Sequence, residues 1–325
     1  SHMPRLQKEF FEQNETLDDS IAPFRELTSG AVDTLLRISM RRSERWRKMK
    51  YDLKKNDEEI EESFYIPKEM TVFSWAGEID TTMTPLDSMK YYKSFFRPGM
   101  MSMDPTNGYI KAWVGGMNYR HFQYDMVKKG KRQIGSTFKP FVYAAAIDQL
   151  KLSPCDTFPD SQFCIEKNKF GNVEQWCPKN SGDKYGRTRT LKNALANSVN
   201  TVTARLMDRI GPRTVVKLAK DLGIEQRILP VPSIALGTPD LSVYEMVAAY
   251  STFANKGVYT QPVFIERIDD KNGTTLYKNQ PVTRDVLSEE AAYVTVNLLE
   301  GVTKAGSGTR LRTTGADEFN RAYQN

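Results

Sequence analysis

The segment from Phe138 to Leu150 constrains the fold more than any other part of the chain. Its residues are apolar or small at most positions, among them Phe141, Val142 and the run Ala144-Ala145-Ala146. A helix that is apolar on all of its faces has to be buried inside a protein. Pro140 fits such a helix only in the first turn, where no backbone donor is needed. The segment therefore predicts a buried helix that begins close to residue 138.

Ser136 and Lys139 form a Ser-x-x-Lys pair at the start of this helix. A serine hydroxyl is a poor nucleophile until a base takes its proton, and a lysine is a base only when it is neutral. Desolvation by an apolar helix lowers a lysine pKa, and the helix N-terminus stabilises negative charge on the serine. The pair predicts a serine nucleophile with a lysine base, against the alternative of a plain helix-capping serine.

The scarcity of histidine supports a lysine base. The chain has two histidines, and His2 lies in Ser1-His2-Met3, a pattern typical of the remnant of a cleaved tag. His121 is then the only histidine left. A serine hydrolase of the usual kind needs a histidine beside its serine. The Ser-x-x-Lys pair indicates acyl transfer without one.

Two further patterns bear on this chemistry. A second Ser-x-x-Lys pair, Ser181 and Lys184, lies in a glycine-rich loop where nothing desolvates the lysine, so we interpret it as a coincidence. Ser198 and Asn200 follow a helical segment, and a hydroxyl and a carboxamide one residue apart can reach one cleft. The serine could relay a proton, and the asparagine could bind a substrate amide or hold the lysine. The alternative is an ordinary polar helix face.

Composition and charge narrow the class of protein. Hydrophobic residues make up 39% and charged residues 26%, which is ordinary for a soluble globular protein. No apolar run approaches the roughly 20 residues that span a bilayer. The net charge is +6, with a basic run from Arg41 to Lys50. A solvated linker helix explains this run best, ahead of an anionic membrane or polymer surface. Nucleic acid comes last, because no binding motif accompanies the charge.

The cysteines give a weak signal. Cys155, Cys164 and Cys177 have no C-x-x-C spacing, and one histidine cannot complete a common zinc site. We therefore expect no metal. In an oxidising compartment Cys164 and Cys177 could form a disulfide across a short loop, which would leave Cys155 unexplained.

The pattern along the chain changes near residue 69, from a polar, helical segment to alternating strands and helices. A hairpin is indicated by Asn107-Gly108 between two apolar runs, and another by Asn272-Gly273. The predicted strands are Met70–Trp75, Met100–Met103 and Tyr109–Val114, and the predicted helices after Leu150 are Thr190–Met207, Arg213–Leu222, Val243–Ala254 and Ser288 to about Gly301. Residues 151–186 are predicted to be loop.

Several longer segments carry a family resemblance. They are Gly108 to Gly116, Arg132 to Phe141, Leu191 to Asn200, Ala235 to Thr238 and Ala248 to Gly257. With the Ser-x-x-Lys and Ser-x-Asn motifs, they resemble the transpeptidase region of a class A penicillin-binding protein, of a Gram-negative, Bacteroidetes-like kind. The likeness covers roughly residues 69 to 312.

The resemblance implies an α/β fold of the penicillin-binding-protein and serine β-lactamase type, with a mainly antiparallel sheet sandwiched by helices. It divides the chain into a tag remnant (1–3), a helical linker or cap (4–68) and a transpeptidase domain (69–325). A glycosyltransferase domain and a membrane anchor would precede residue 4 in a longer parent protein, at the periplasmic face of the inner membrane. The present chain is then expected to be soluble.

The resemblance also implies a role for each motif residue. Ser136 would attack the penultimate D-alanine carbonyl of a peptidoglycan stem peptide, and Lys139 would accept its proton. Ser198 would pass a proton to the departing D-alanine, and Asn200 would hold the substrate or Lys139. The backbone N–H of Ser136 would form half of the oxyanion hole. β-Lactam antibiotics would acylate Ser136, and no cofactor is implied.

One motif departs from the family pattern. A Lys-Thr-Gly motif should follow on a strand that lines the cleft, and Ala305 to Arg312 resembles the approach to it. The chain then has Thr313-Thr314-Gly315, with threonine in place of lysine. We therefore expect an active site and a fold that are incomplete at the C-terminus, with an exposed sheet edge. The alternatives to a transpeptidase are a non-catalytic truncated fragment or scaffold, and a β-lactamase or D,D-carboxypeptidase.

Overall fold

The computed structural model describes residues 2–12 and 27–313. The chain forms two compact units. The first contains residues 1–98 and 117–123, and the second contains residues 99–116 and 124–325. The division places the strand predicted at Met70–Trp75 in the first unit, whereas the sequence assigned it to the transpeptidase domain. The extent of the functional domain stays a prediction.

The first unit is mainly helical. Its elements are α1 (His2–Glu12), α2 (Ser29–Arg42), α3 (Glu44–Arg47), a π-helical turn (Lys48–Asp52), α4 (Asp57–Glu62), β1 (Lys68–Ser74), β2 (Gly77–Met83) and α5 (Pro85–Ser94). β1 and β2 form an antiparallel hairpin. The helical nature of the polar N-terminal segment is thus confirmed where it is described. The basic run predicted as a linker helix lies across α2, α3 and the π-helical turn, and two of its members are paired with acids, Lys48 with Glu44 and Lys50 with Asp57.

His121 belongs to the aromatic core of the first unit. The buried rings of Phe73 and Phe122 meet edge to face, 5.2 Å apart between centroids. The His121 ring lies between the Tyr92 hydroxyl, 2.9 Å from Nδ1, and a Glu78 oxygen, 2.8 Å from Nε2. The single histidine left after the tag remnant therefore joins the hairpin to the rest of this unit.

The second unit alternates short strands and helices. Its elements are β3 (Met100–Met103), β4 (Ile110–Val114), β5 (Lys131–Gln133), α6 (Lys139–Leu150), β6 (Thr157–Pro159), β7 (Thr188–Thr190), α7 (Leu191–Ala196), α8 (Asn200–Ile210), α9 (Pro212–Asp221), β8 (Asp240–Ser242), α10 (Val243–Ala254), β9 (Val258–Thr260), β10 (Arg267–Asp269), β11 (Thr275–Lys278), β12 (Thr283–Asp285), α11 (Glu289–Ala305) and α12 (Arg310–Thr313). Among these strands, antiparallel pairs join β3 with β4, β5 with β8, β6 with β7, β9 with β12 and β10 with β11.

Helix α6 occupies the centre of the second unit. All nine residues from Lys139 to Ile147 are buried, and the helix contacts α8, α9 and α11. Pro140 lies in its first turn, as its missing backbone donor requires. Each large apolar side chain that is fully buried here contributes about 1.5–3 kcal/mol to folding. The predicted central helix is confirmed, and so are both predicted hairpins.

The prediction of one helix from Thr190 to Met207 is wrong. The segment forms two helices, α7 and α8, which are separated at residues 197–199. Ser198 has a φ of +55°, in the left-handed region that non-glycine residues avoid. Local pattern favours a continuous helix because Leu195 and Ala196 on one side and Val202 on the other are all apolar. The break is imposed by contacts that Ser198 makes elsewhere in the fold.

The loop of residues 151–186 contains the predicted disulfide. Cys164 and Cys177 are bonded, and Cys155 is free and exposed. The pairing that the sequence left open is thereby confirmed. The loop is not wholly irregular, since β6 (Thr157–Pro159) pairs with β7.

Candidate active site

Ser136 lies just before helix α6, and Lys139 begins it. Ser136 is exposed in a 3₁₀ turn from Gly135 to Phe138, and Lys139 is the first residue of the helix. The Lys139 backbone N–H donates to the Ser136 carbonyl. The serine thus faces solvent, while the lysine, 1% exposed, is directed into the interior. The opposite exposures leave one residue open to solvent and place the other in an environment that disfavours its charge.

The Lys139 amine is surrounded by three oxygen atoms. Nζ is 2.6 Å from the Ser198 carbonyl oxygen, 2.9 Å from Ser198 Oγ and 2.6 Å from Asn200 Oδ1. Burial lowers the Lys139 pKa to about 8, because the charged amine has lost its water. About a tenth of the lysines are then neutral at pH 7. In the described structure these hydrogen bonds join Lys139 to Ser198 and Asn200, and none joins it to the Ser136 hydroxyl.

The break between α7 and α8 explains how Ser198 reaches Lys139. The left-handed backbone at Ser198 turns both its carbonyl and its hydroxyl onto Nζ. A residue held in this region costs of order 1–3 kcal/mol, and such residues cluster at functional sites. The sequence identified Ser198 by its motif but gave no signal of the unusual backbone.

Asn200 uses both ends of its carboxamide within the protein. Its Oδ1 accepts from Lys139, and its Nδ2 donates to the Lys179 carbonyl at 2.6 Å. The sequence left two roles open for Asn200, binding a substrate amide or holding Lys139. In the structure the Asn200 side chain contacts Lys139. Because both polar atoms are engaged, the orientation of the amide is fixed.

Two residues that the sequence did not single out support the Ser136 turn. Gly237, at φ +76°, accepts from Gly135 N–H at 2.9 Å, and a Cβ added to Gly237 would lie 1.7 Å from the Gly135 carbonyl oxygen. The Tyr250 hydroxyl on α10 donates to the Thr137 carbonyl at 2.6 Å. Both lie in segments that carry the family resemblance, but their roles depend on contacts about a hundred residues away along the chain, which no local pattern reveals.

An apolar groove of about 690 Å³ adjoins this turn. Ile134 and Thr137 from the turn region line it together with Met246, Val247 and Tyr250 from α10. The turn that carries Ser136 therefore lies at the edge of a concave, mainly apolar surface of the kind that binds ligands.

The second Ser-x-x-Lys pair lies in a different setting. Ser181 begins a 3₁₀ turn from Ser181 to Asp183, and both Ser181 and Lys184 are exposed. Gly182 and Asp183 have positive φ, so the two side chains are not on a helical face. Lys184 therefore lacks the burial that Lys139 has.

The third motif falls largely outside the described residues. Arg310–Thr313 forms the short helix α12, and Thr314-Gly315 lies beyond it. Within the described ranges no cluster of His, Cys, Asp or Glu could hold a metal ion. Every helix in the same ranges is too short or too polar to cross a membrane.

The match with known families agrees with this geometry. Residues 99–318 match the penicillin binding protein transpeptidase domain, and residues 19–96 match the penicillin-binding protein middle domain. The chain belongs to the penicillin-binding protein family, and its second compact unit has the transpeptidase fold. The boundary between the two matches falls beside the division of the compact units at residues 98 and 99, but residues 117–123 of the transpeptidase match lie in the first unit.

Individual relatives agree as well. Penicillin-binding protein 1A of Aquifex aeolicus is 35% identical over 213 residues, which are 65% of this chain and 28% of that protein. The solved structure of penicillin-binding protein 1A from Haemophilus influenzae superposes with a TM-score of 0.61 at 25% identity, over 66% of this chain and 37% of that one. An imipenem acyl-enzyme of Mycobacterium tuberculosis penicillin-binding protein A shares the fold, with a TM-score of 0.55 at 17% identity over 67% and 60% of the two chains.

These comparisons bear on the predictions from the sequence. The class A resemblance and the α/β fold class are confirmed, and the chain spans less than a third of the length of the Aquifex relative. The Bacteroidetes-like source stays a prediction.

Proposed function

We propose that this chain is the serine D,D-transpeptidase region of a bifunctional peptidoglycan synthase. The observation that carries the proposal is the setting of Lys139. Its amine is buried, has a pKa lowered to about 8 and is held by Ser198 and Asn200, one helical turn from the exposed Ser136. Membership of the transpeptidase family supports the substrate class, stem peptides that end in D-Ala-D-Ala.

The first half of the reaction forms an ester on Ser136. Neutral Lys139 takes the Ser136 proton as Oγ attacks the penultimate D-alanine carbonyl, and the Ser136 backbone N–H stabilises the oxyanion. The C–N bond then breaks, and the terminal D-alanine leaves as a free amine. The proton on Lys139 has a path to that amine through Ser198 Oγ, 2.9 Å from Nζ.

The second half transfers the acyl group. An amine from a neighbouring stem peptide attacks the ester carbonyl and gives up a proton, through the same groups in reverse, to Ser136 Oγ. A peptide cross-link forms and the serine is regenerated. Asn200 keeps the lysine in place throughout, because its amide is fixed at both ends.

β-Lactam antibiotics are the second class of ligand in the proposal. They mimic the D-Ala-D-Ala terminus and would acylate Ser136, the kind of adduct that the mycobacterial imipenem complex contains. The longer parent protein would add a glycosyltransferase domain and a membrane anchor, and it would act at the periplasmic face of the inner membrane.

The proposal is tested by intact-mass spectrometry after incubation with penicillin. We expect a penicilloyl adduct on the unaltered protein and on Ser181→Ala, which serves as the matched control from the second Ser-x-x-Lys pair. Ser136→Ala should carry none. An adduct that survives Ser136→Ala would overturn the assignment of the nucleophile.

The same experiment separates the alternatives. An adduct that persists for hours supports a transpeptidase, whereas one that is rapidly hydrolysed with turnover of penicillin favours a β-lactamase or carboxypeptidase. The absence of any adduct would favour a non-catalytic scaffold, the reading motivated by threonine at position 313 where the family has lysine.

A further inference from the structure

The carboxylate of Asp160 is fully buried and accepts four hydrogen bonds. Its side chain is 0% exposed. One oxygen, Oδ1, accepts from Asn180 Nδ2 at 2.7 Å and from Thr201 Oγ1 at 2.9 Å. The other, Oδ2, accepts from Arg189 Nε at 2.7 Å and from Gly186 N–H at 3.0 Å. Burial alone would raise the Asp160 pKa, but these hydrogen bonds outweigh it and hold the pKa below its usual range.

The side chain of Asn180 links Asp160 to helix α8 by hydrogen bonds. Its Nδ2 donates to Asp160 at 2.7 Å and to the Lys184 carbonyl at 3.0 Å. Its Oδ1 accepts from the backbone N–H groups of Asn200 and Thr201, at 3.0 and 3.1 Å. These are the first two residues of α8, and the residue before them, Val199, has no side chain that can cap the helix. A distant loop therefore supplies the cap that helix N-termini need.

The capped residue is also the one that holds the active-site lysine. Asn200 donates from Nδ2 to the carbonyl of Lys179, the neighbour of Asn180, and accepts from Lys139. One continuous chain of hydrogen bonds thus runs from the buried Asp160 through Asn180 and Asn200 to the Lys139 amine. If Asp160 no longer orients Asn180, the backbone N–H of Asn200 loses its partner. The Lys179 carbonyl, which holds the Asn200 side chain, belongs to the residue next to the displaced Asn180.

We propose that Asp160 is a positioning residue, which acts through Asn180 to set Asn200 against Lys139. The expected effect on the acylation rate rests on the proposed function. The expected effect on the position of the Lys139 amine does not. A one-ångström error in the placement of a reacting group can lower a rate by about 100-fold. Arg189 is also bonded to Asp160 but does not lie on this path, so its contribution is to stability.

The experiment follows Lys139 directly by NMR of the protein with ¹³C-labelled lysine, its Cε resonance being assigned with Lys139→Arg. Asn180→Ala and Asp160→Asn should shift or broaden this resonance. The matched control, Arg189→Gln, removes a different partner of the same carboxylate and should leave the resonance in place. An unchanged resonance in folded Asn180→Ala would overturn the inference, even if Asp160→Asn fails to fold.

A polarity swap provides the rescue. In Asp160→Asn/Asn180→Asp, the new amide can donate to the new carboxylate, which still accepts from Asn200 and Thr201. The swap loses one contact, because a carboxylate at position 180 cannot donate to the Lys184 carbonyl. The swap should restore the Lys139 resonance, and with it a penicillin acylation rate that the single variants lower about 10- to 100-fold. A purely stabilising role predicts lower melting temperatures with an unchanged rate in the folded protein.

The two readouts separate the inference from the proposed function. A Lys139 resonance that responds as expected in a protein that penicillin never acylates would contradict only the function. Acylation that proceeds normally in Asn180→Ala, with an unmoved resonance, would contradict only the positioning role.

Discussion

Lys139 illustrates how the surroundings of one residue change its chemistry. Its pKa of about 8, against an ordinary value near 10.5, means that burial disfavours the charged amine by about 3 kcal/mol. The oxygens of Ser198 and Asn200 replace only part of the lost hydration. The lowered pKa of Lys139 could be predicted from the sequence, because the apolar residues that bury the amine follow it on the same helix.

The rate of Ser136 acylation should follow the neutral fraction of Lys139. Below about pH 8 the neutral amine, and with it the rate, should rise about tenfold per pH unit, and above that value the rate should level off. Labelling with a fluorescent penicillin between pH 6 and 9 measures the profile. Lys184→Met, in the exposed second pair, should keep the same profile. A rate that does not change over this range would contradict the lysine base.

At the scale of elements, the junction between α7 and α8 combines a strained backbone at Ser198 with a side chain that contacts Lys139. Local propensity predicted one helix, and the structure has two because Ser198 and Asn200 both reach Lys139. A helix that continued through Ser198 would use its carbonyl within the helix. Tertiary contacts thus override the local pattern, which is why the break could not be read from the sequence.

Ser198→Gly should stabilise the second unit relative to Ser198→Ala while both variants lose activity. Glycine adopts φ +55° freely, whereas alanine keeps a penalty of about 1 kcal/mol. Thermal denaturation should give a melting temperature about 2–4 °C higher for glycine than for alanine. Both variants lack the hydroxyl, so penicillin acylation should fall by a similar factor. Equal melting temperatures would mean that the left-handed conformation at Ser198 costs nothing.

The turn that carries Ser136 depends on a second element, the segment around Gly237. A methyl group at Gly237 would collide with the Gly135 carbonyl, so Gly237→Ala should displace the turn that carries Ser136. We expect a loss of acylation of about 100-fold or more. Gly273→Ala is the matched control, because Gly273 also has positive φ but nothing within 4 Å of its Cβ position. Equal acylation by the two variants would contradict the role of this contact.

At the scale of the whole chain, the features that could be predicted are those set by neighbouring residues or by a short motif. The central helix, the hairpins at Asn107-Gly108 and Asn272-Gly273, and the residues around Lys139 all follow from short patterns. The contact of Asn180 with α8 and the packing of Gly237 on Gly135 could not be predicted, since they join residues 20 and 102 positions apart. Asp160 and Asn180 appear in the sequence only as polar loop residues.

The disulfide in the loop of residues 151–186 indicates the kind of compartment in which the protein folds. Cys164 and Cys177 close a loop whose ends are 13 residues apart, and a loop of about this length stabilises a fold by about 3 kcal/mol. Such bonds form and persist in oxidising compartments. Protein from an oxidising compartment should therefore contain one titratable thiol in denaturant, that of Cys155, and three after reduction. Its melting temperature should fall on reduction.

Cys155→Ser is the control for this prediction, because it removes the free thiol and leaves the bonded pair. Without reductant this variant should have no titratable thiol, and reduction should lower its melting temperature as much as that of the unaltered protein. The loop that the disulfide closes lies between Asp160 and Asn180, so reduction should also disturb the Lys139 resonance. Three titratable thiols in denaturant, without reductant, in protein from an oxidising compartment would contradict the pairing and remove one support for the proposed periplasmic location.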